Sequence, residues 1–254
     1  MSLSKIDFSV RLARTTEDLR AAQRLRYEVF ARELGATGGS VDHALGLERD
    51  RFDEVADHLL VLDTQRAGDP VVGVYRLMQC HHARAAGRFY SEEEYDLSPL
   101  YRSGRSLLEL GRSCLRREYR GGTAMMQLWQ GIADYVKDHG IEILFGVASF
   151  HGTDPQALAH PLSNLHHQYR APEALRVRAR VAQRMDILPA DKVDRRRAML
   201  ETPALIKAYL RLGGMVGEGA FVDHGFNTTD VCMVMDTARL NARQKALYAK
   251  DAAS

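Results

Sequence analysis

The stretch Leu107–Gly122, LLELGRSCLRREYRGG, constrains the fold more than any other. It opens like a buried strand, yet Glu109 and Arg112 are set inside the apolar run. On a regular strand, residues three apart point to opposite faces. Gly111 lies between the two charges, and a glycine inside a strand often marks a bulge. One extra residue there would put both charges on one face and splay the strand from its neighbour, opening a cleft within a sheet. The alternative is a buried ion pair with no catalytic role. Such pairs stabilise poorly for their own sake, which favours the functional reading. Directly downstream, Gly121 and Gly122 precede a helix that begins around Thr123 and Ala124. Its first amides lack intrahelical partners and its dipole suits an anion. Arg117 and Arg120 would add positive charge.

The flanking patterns extend this unit. FSVRLAR alternates as a short strand, and TTEDLRAAQRLRYEVFARELGA reads as an amphipathic helix with a capping box at Thr15 and Asp18. Residues 37–57 read as a long polar loop. HLLVLD and VVGVYRLMQ flank a turn and form a hairpin. Residues 84–105 read as irregular, with a short helix around SEEEYDLSPL. TAMMQLWQGIADYVKDHG is a helix closed by Gly140, with Met125, Met126 and Trp129 as core packing. IEILFGVAS is a strand and DPQALAHPLSNLHHQY a helix broken at Pro161. ALRVRARV reads as a strand, TPALIKAYLRLGG as a helix, DVCMVMD as a strand, and the C-terminus as a polar helix. This order predicts an α/β fold with a mixed sheet and helices on both faces. No linker is long enough to separate two domains, so a single domain over residues 1–254 is expected.

Composition excludes several classes. The chain of 254 residues is 45% hydrophobic and 27% charged, as in ordinary globular proteins. No apolar run approaches the roughly 20 residues of a membrane span. The first residues lack a signal-peptide core, and Cys80, Cys114 and Cys232 form neither a disulfide framework nor a metal-ligand spacing. A cytoplasmic setting is expected, with peripheral contact at the inner membrane face left open. His166 and His167 are adjacent rather than four apart, so no metal site is expected. The net charge of +2 argues against a dedicated nucleic-acid binder. Arginine supplies 29 of the 35 basic residues, which suits an acidic or phosphorylated partner or equally a solvated arginine-rich surface.

Strand, bulge, glycine turn and helix in that order resemble the GCN5-related N-acyltransferase superfamily. The resemblance implies a mostly antiparallel sheet with a cleft between its two central strands. YRGGTA supplies Gly122 and Ala124 in register with that superfamily's donor-binding loop, but Tyr119 stands where a basic or amide residue is usual, and the loop is compressed. A donor with one phosphate, the 4′-phosphopantetheine arm of acyl carrier protein, fits that departure better than coenzyme A. A further pattern is similar to acyl-homoserine-lactone synthases: Arg26 and Phe30 in LRYEVF, Asp50 and Asp53 in ERDRFD, Arg76 in VVGVYRL, and Glu109 and Arg112 in ELGR. Over nearly its whole length the chain resembles the ornithine N-acyltransferases, through FGVASFHGTDP, LSNLHHQYRAPE, PALIKAYLRLGG and DHGFNTTDVCMVMD. Relative to the synthases, residues from about 176 onward read as a C-terminal extension.

The resemblance implies transfer of a 3-hydroxyacyl chain from acyl carrier protein to the α-amine of L-ornithine, giving lyso-ornithine lipid, with no permanently bound cofactor. Glu109 is the expected base, and an amide freed near Gly111 or Arg112 the oxyanion donor. Tyr169 occupies the position of a tyrosine that protonates the leaving sulfur. Asp50, Asp53 and Asp230 are candidates for an ammonium, and Arg26, Arg76 and Arg112 for the carboxylate. Ser149 and His151 emerge from the strand expected to line the cleft, with His151 a second candidate base. An arginine-rich surface around 84–120 would steer an acidic carrier protein. Competing readings are an acetyl-coenzyme A enzyme, an acyl-homoserine-lactone synthase or other N-acyl amino acid synthase, and a non-catalytic module that binds acyl carrier protein.

Overall fold

An alternating strand and a capped helix open the chain. In the computed structural model, which describes residues 7–239, β1 (Phe8–Leu12) leads into α1 (Thr16–Arg26). The Thr15 hydroxyl accepts from the Asp18 amide, and the Asp18 carboxylate accepts from the Thr15 amide, the expected capping box. The helix continues as a π-helical segment, Tyr27–Glu33. Residues 37–57 hold a short antiparallel pair, β2 (Val41–Asp42) with β3 (Leu47–Glu48), and turn Glu48, Phe52 and Asp53 inward. The expectation of a solvated polar loop is therefore corrected. β4 (Asp57–Asp63) and β5 (Val71–Gln79) form the expected hairpin, with β1 antiparallel on the outer edge of β4. α2 (Cys80–Ala86) follows.

The described residues divide into two compact units, 7–86 with 110–140 and 87–109 with 141–239. β6 (Tyr95–Asp96) and α3 (Ser98–Arg102) belong to the second unit. β7 (Leu107–Leu115) starts there and enters the first unit at Leu110. α4 (Ala124–Asp138) completes the first unit and is closed at Gly140, whose φ is 59°.

In the first unit α1 and α4 cover opposite faces of β1, β4 and β5. Leu60 and Val74 pack with Ala21, Ala22 and Leu25 of α1. Leu59, whose side chain must point the other way, lies under α4. There a Cβ on Gly131 would stand 2.8 Å from Val10 and 3.0 Å from Leu59, so only glycine permits this approach. Trp129 packs against Tyr75, as expected for a core residue, whereas Met126 is 67% exposed and is not one.

The second unit continues with β8 (Ile143–His151) and α5 (Ala159–Tyr169). Pro161 sits in the first turn of α5, where its missing N–H costs nothing, so the expected break is absent. The strand expected in ALRVRARV shrinks to β9 (Arg178–Ala179), paired with β6. α6 (Arg195–Glu201), α7 (Ala204–Arg211), β10 (Met215–Val216), β11 (Phe221–Asp223) and β12 (Thr228–Asp236) follow. β12 lies antiparallel to β8 along its length, with β10 and β11 on its other edge. β7 pairs in parallel with β8 only from Leu107 to Glu109. The fold is thus the mixed α/β, mostly antiparallel class that was expected. Residues 176–239, expected as an extension, lie wholly inside the second unit. The polar helix expected to run to the C-terminus falls on residues 240–254, outside the described residues. Among the described residues no helix is long and apolar enough to cross a membrane.

Candidate active site

Five of the residues singled out in the sequence meet in one closed ring of charges in the first unit. Arg26 donates to Glu48 through Nε and to Asp53 at 2.7 and 2.9 Å. Arg76 donates to Asp53 at 3.0 Å and to Asp50 at 2.6 Å. Arg112 donates to Asp50 at 2.9 Å and to Glu48 at 3.1 Å. Each arginine thus bridges two acids and each acid bridges two arginines. The ring sums to zero charge, and the side chains of Arg26 and Glu48 are wholly buried. Burial alone would push all three carboxyls up. The guanidiniums outweigh it, Arg112 and Arg26 for Glu48, Arg76 and Arg112 for Asp50, Arg26 and Arg76 for Asp53, and hold all three below the usual carboxylate range. Gln23 adds a bond to Asp53 at 3.0 Å. His58 stands 3.0 Å from the Asp53 carbonyl, and burial lowers its pKa from 6.5 to about 4.

The ring accounts for an irregularity in the β7 backbone. The left-handed residue is Arg112 itself, with φ 53°, rather than Gly111. A non-glycine residue there costs about 1–2 kcal/mol, offset by the two charge-assisted bonds that the guanidinium makes. A Cβ on Gly111 would stand 3.9 Å from Arg76 Nε. Phe30 is half-buried and packs on the α1 core cluster.

The glycine turn keeps its helix entrance uncapped. Thr123 makes no side-chain cap bond, and the first turn of α4 holds no acid. Gly121 is left-handed at φ 76°. Arg117, Gly121, Gly122 and Thr123 are exposed, while Ala124 is buried. Arg120 is tied to Glu33 and to the Leu115 carbonyl. Tyr119, the residue departing from the superfamily loop, donates to Asp63 at 2.7 Å.

Strand register collects four further candidates, Glu109, Ser149, His151 and Asp230, on one face of the second unit. Glu109 lies opposite Phe145, Ser149 opposite Asp230, and His151 opposite Thr228. Opposed residues share a face, as do residues two apart along one strand. Glu109 therefore shares a face with Ser149, His151 and Asp230, and by the same register with Cys232 and Asp223. Ser149 and His151 are exposed, and Glu109 and Asp230 are buried. Residues 89–95 lie over this face. Phe89 packs edge-on against Phe145, the amides of Tyr90 and Ser91 donate to the two Glu109 oxygens at 2.9 and 2.6 Å, and the Tyr95 hydroxyl donates to the Gly219 and Asp230 carbonyls. Glu94 joins Asp223 and Asp230, with carboxylate oxygens mutually within 4.8 Å. Burial, then Glu109 and Glu94, push the Cys232 thiol well up, so it stays protonated and inert as a nucleophile. The face is thus strongly acidic and suits a cation.

Tyr169 lies elsewhere in this unit, in a groove with His166, Arg170 and Met215 that none of the acidic residues lines. Glu48, His58, Glu94 and Asp223 escaped sequence reasoning. Glu48 had a signal in GLERDRFD, where it precedes Asp50 and Asp53 at close spacing. Glu94 is the third acid of SEEEYD, and nothing local marks it as the buried one.

A profile described as an Acetyltransferase (GNAT) domain matches residues 25–130. The chain is 53% identical over 253 residues to the L-ornithine N(alpha)-acyltransferase of Rhodobacter capsulatus, with 98% of both chains covered. It is 42% identical over 250 residues to the L-ornithine N(alpha)-acyltransferase of Brucella abortus, covering 96% of this chain and 89% of that one. The chain belongs to the L-ornithine N(alpha)-acyltransferase family. Among solved structures, a CoA-dependent acyl-homoserine lactone synthase, BjaI, with SAM and isopentyl-CoA, aligns with a TM-score of 0.55 at 14% identity, over 95% of this chain and 88% of that one. At that identity the likeness is one of fold.

Two outcomes follow for this family member's ring. Glu48→Gln leaves Arg26 and Arg112 short of a buried counter-charge and should cost about 3–5 kcal/mol in urea unfolding, where a change below 1 kcal/mol would show that the ring adds nothing. His58 has a folded pKa of about 4, below its ordinary 6.5. Its contribution is complete above about pH 6.5 and is lost as pH falls through about 4. Stability should therefore drop by up to about 3 kcal/mol across that window, and His58→Gln should flatten the slope in denaturation curves taken between pH 4 and 7.

Proposed function

We propose that the protein transfers a 3-hydroxyacyl chain from the 4′-phosphopantetheine thiol of acyl carrier protein to the α-amine of L-ornithine, forming lyso-ornithine lipid. The observation that carries this reading is the 53% identity, across 98% of both chains, to an L-ornithine N(alpha)-acyltransferase. The acid-lined face supports it. Ornithine carries two ammonium groups, and Glu94, Asp223 and Asp230 offer counter-charge to one of them.

Aminolysis of a thioester forms a C–N bond, breaks a C–S bond and moves one proton from nitrogen to sulfur. Glu109 takes the amine proton, directly or through one water, and returns it to the departing thiolate. The amides of Tyr90 and Ser91 hold the carboxylate in one orientation. His151, exposed at the end of β8, is the alternative base. The donor's single phosphate goes to the free amides at the start of α4, with Arg117 adding charge. Arg26, Arg76 and Arg112 act as scaffold, because each is already engaged by two carboxylates.

Purified protein with 3-hydroxyacyl carrier protein should release free carrier thiol only when ornithine is present. Thiol release with no amino acid in a panel would sink the reading. Glu109→Gln should lower kcat about 10²–10⁴-fold, and near-normal turnover would shift the base to His151. Asp230→Asn should raise the KM for ornithine while leaving KM unchanged for norvaline, which lacks the second amine. An equal change for both acceptors would remove Asp230 from side-chain recognition.

A further inference from the structure

The groove at the C-terminal end of α5 has a volume of about 660 Å³ and is cationic. Arg170, Arg176, Arg239 and His166 form its polar side, Leu210 and Met215 its apolar wall, and none of the described residues lining it is acidic. Arg176 is paired with Glu173 at 2.6 Å. Arg170 and Arg239 differ. Arg170 Nη1 stands 3.4 Å from His166 Nε2 and Arg239 Nη1 stands 3.5 Å from Met215 Sδ; Glu173 and Asp236 feel their charges, but among the described residues no carboxylate comes within 4.0 Å of either guanidinium. Burial, then the charge of Arg170, push the His166 pKa below its ordinary value. Two guanidinium forks facing one concavity whose described lining holds no acid suit an anion from outside. Guanidinium forks match phosphate oxygens bidentately.

The surroundings narrow the source of that phosphate. The groove is roomier than a free phosphate needs, and its apolar wall would accept the methylenes attached to a headgroup. α6 runs beside α5 in the same direction: the Asp194 amide donates to His160 Nδ1 at 3.1 Å, and Met199 Sδ lies 3.9 Å from Asn164. The next residue, Leu200, is therefore carried toward the groove end of α5, and it is 72% exposed. Arg195 and Arg196 are exposed on the first turn of α6. An exposed leucine beside basic side chains is the pattern of shallow interfacial contact.

We propose that this groove binds the phosphate headgroup of an anionic membrane lipid and seats the protein on a bilayer surface. The inference stands apart from the acyl-transfer reading, since neither Arg170 nor Arg239 has a part in that chemistry. Full-length protein should sediment with phosphatidylglycerol vesicles at low salt and not with phosphatidylcholine vesicles. Arg170→Glu/Arg239→Glu should weaken that binding about tenfold or more, and Leu200→Glu should weaken it as well. Thiol release from soluble substrates, measured without vesicles, should stay at wild-type level in both variants, which shows that they fold and separates this test from the enzymatic one. Equal binding of wild type and the double variant to the anionic vesicles would overturn the proposal. So would absence of vesicle binding while glycerol 3-phosphate or acyl carrier protein binds in a manner the double variant loses.

Discussion

Six side chains in a closed alternating ring organise the first unit. Arg26 comes from α1, Glu48, Asp50 and Asp53 from the 41–57 segment, Arg76 from β5 and Arg112 from β7. An isolated buried ion pair gains little, because desolvation cancels most of the attraction. A ring answers that difficulty by giving every charge two opposite neighbours. Its geometry also fixes what hydrophobic packing alone leaves loose: where the irregular segment lies, and why β7 takes a left-handed residue at a position without glycine. Removing any one member leaves two charges with half their partners, so the six positions stand or fall together.

The second unit has an analogous organiser in residues 89–95. This one segment orients Glu109 with two amides, lays Phe89 on Phe145, sends Glu94 toward Asp230 and ties Tyr95 to the backbone of both Gly219 and β12. Backbone amides orient the carboxylate of Glu109 on this face. The acids of the ring are each bridged by two arginines, whereas on this face three carboxylates, those of Glu94, Asp223 and Asp230, gather within 4.8 Å of one another.

Most elements were legible because they obey simple periodicities. The α1 capping box, the β4–β5 hairpin and the α4 stop at Gly140 are each written in a few adjacent residues. The π-helical continuation of α1, the fate of residues 37–57 and the shrinkage of the strand in ALRVRARV were not, since tertiary partners decide them. The site divides the same way. Glu109 and Arg112 stood out as charges inside an apolar strand, but the irregularity was expected at Gly111 because a glycine inside a strand often marks a bulge. In the fold the strain sits at Arg112, where two carboxylates sixty residues upstream offset it. Such a partner is invisible to any local rule, and the same holds for Glu94 among three consecutive glutamates.

The ring also redirects the search for substrate contacts. Three arginines in a site for an amino acid invite assignment to its carboxylate, and Asp50 and Asp53 invite assignment to its ammonium. Once each is engaged by two partners at hydrogen-bond distance, drawing one away to bind substrate would open a gap in a buried network, at the cost of an uncompensated charge. Recognition by such a residue would have to return more than it breaks. Glu94, Asp223 and Asp230 bring three carboxylates within 4.8 Å of one another, an arrangement whose mutual repulsion a bound cation would relieve. The first unit thus gathers its charges into a closed, mutually paired ring and the second gathers carboxylates on one face, a division that residue types alone do not reveal.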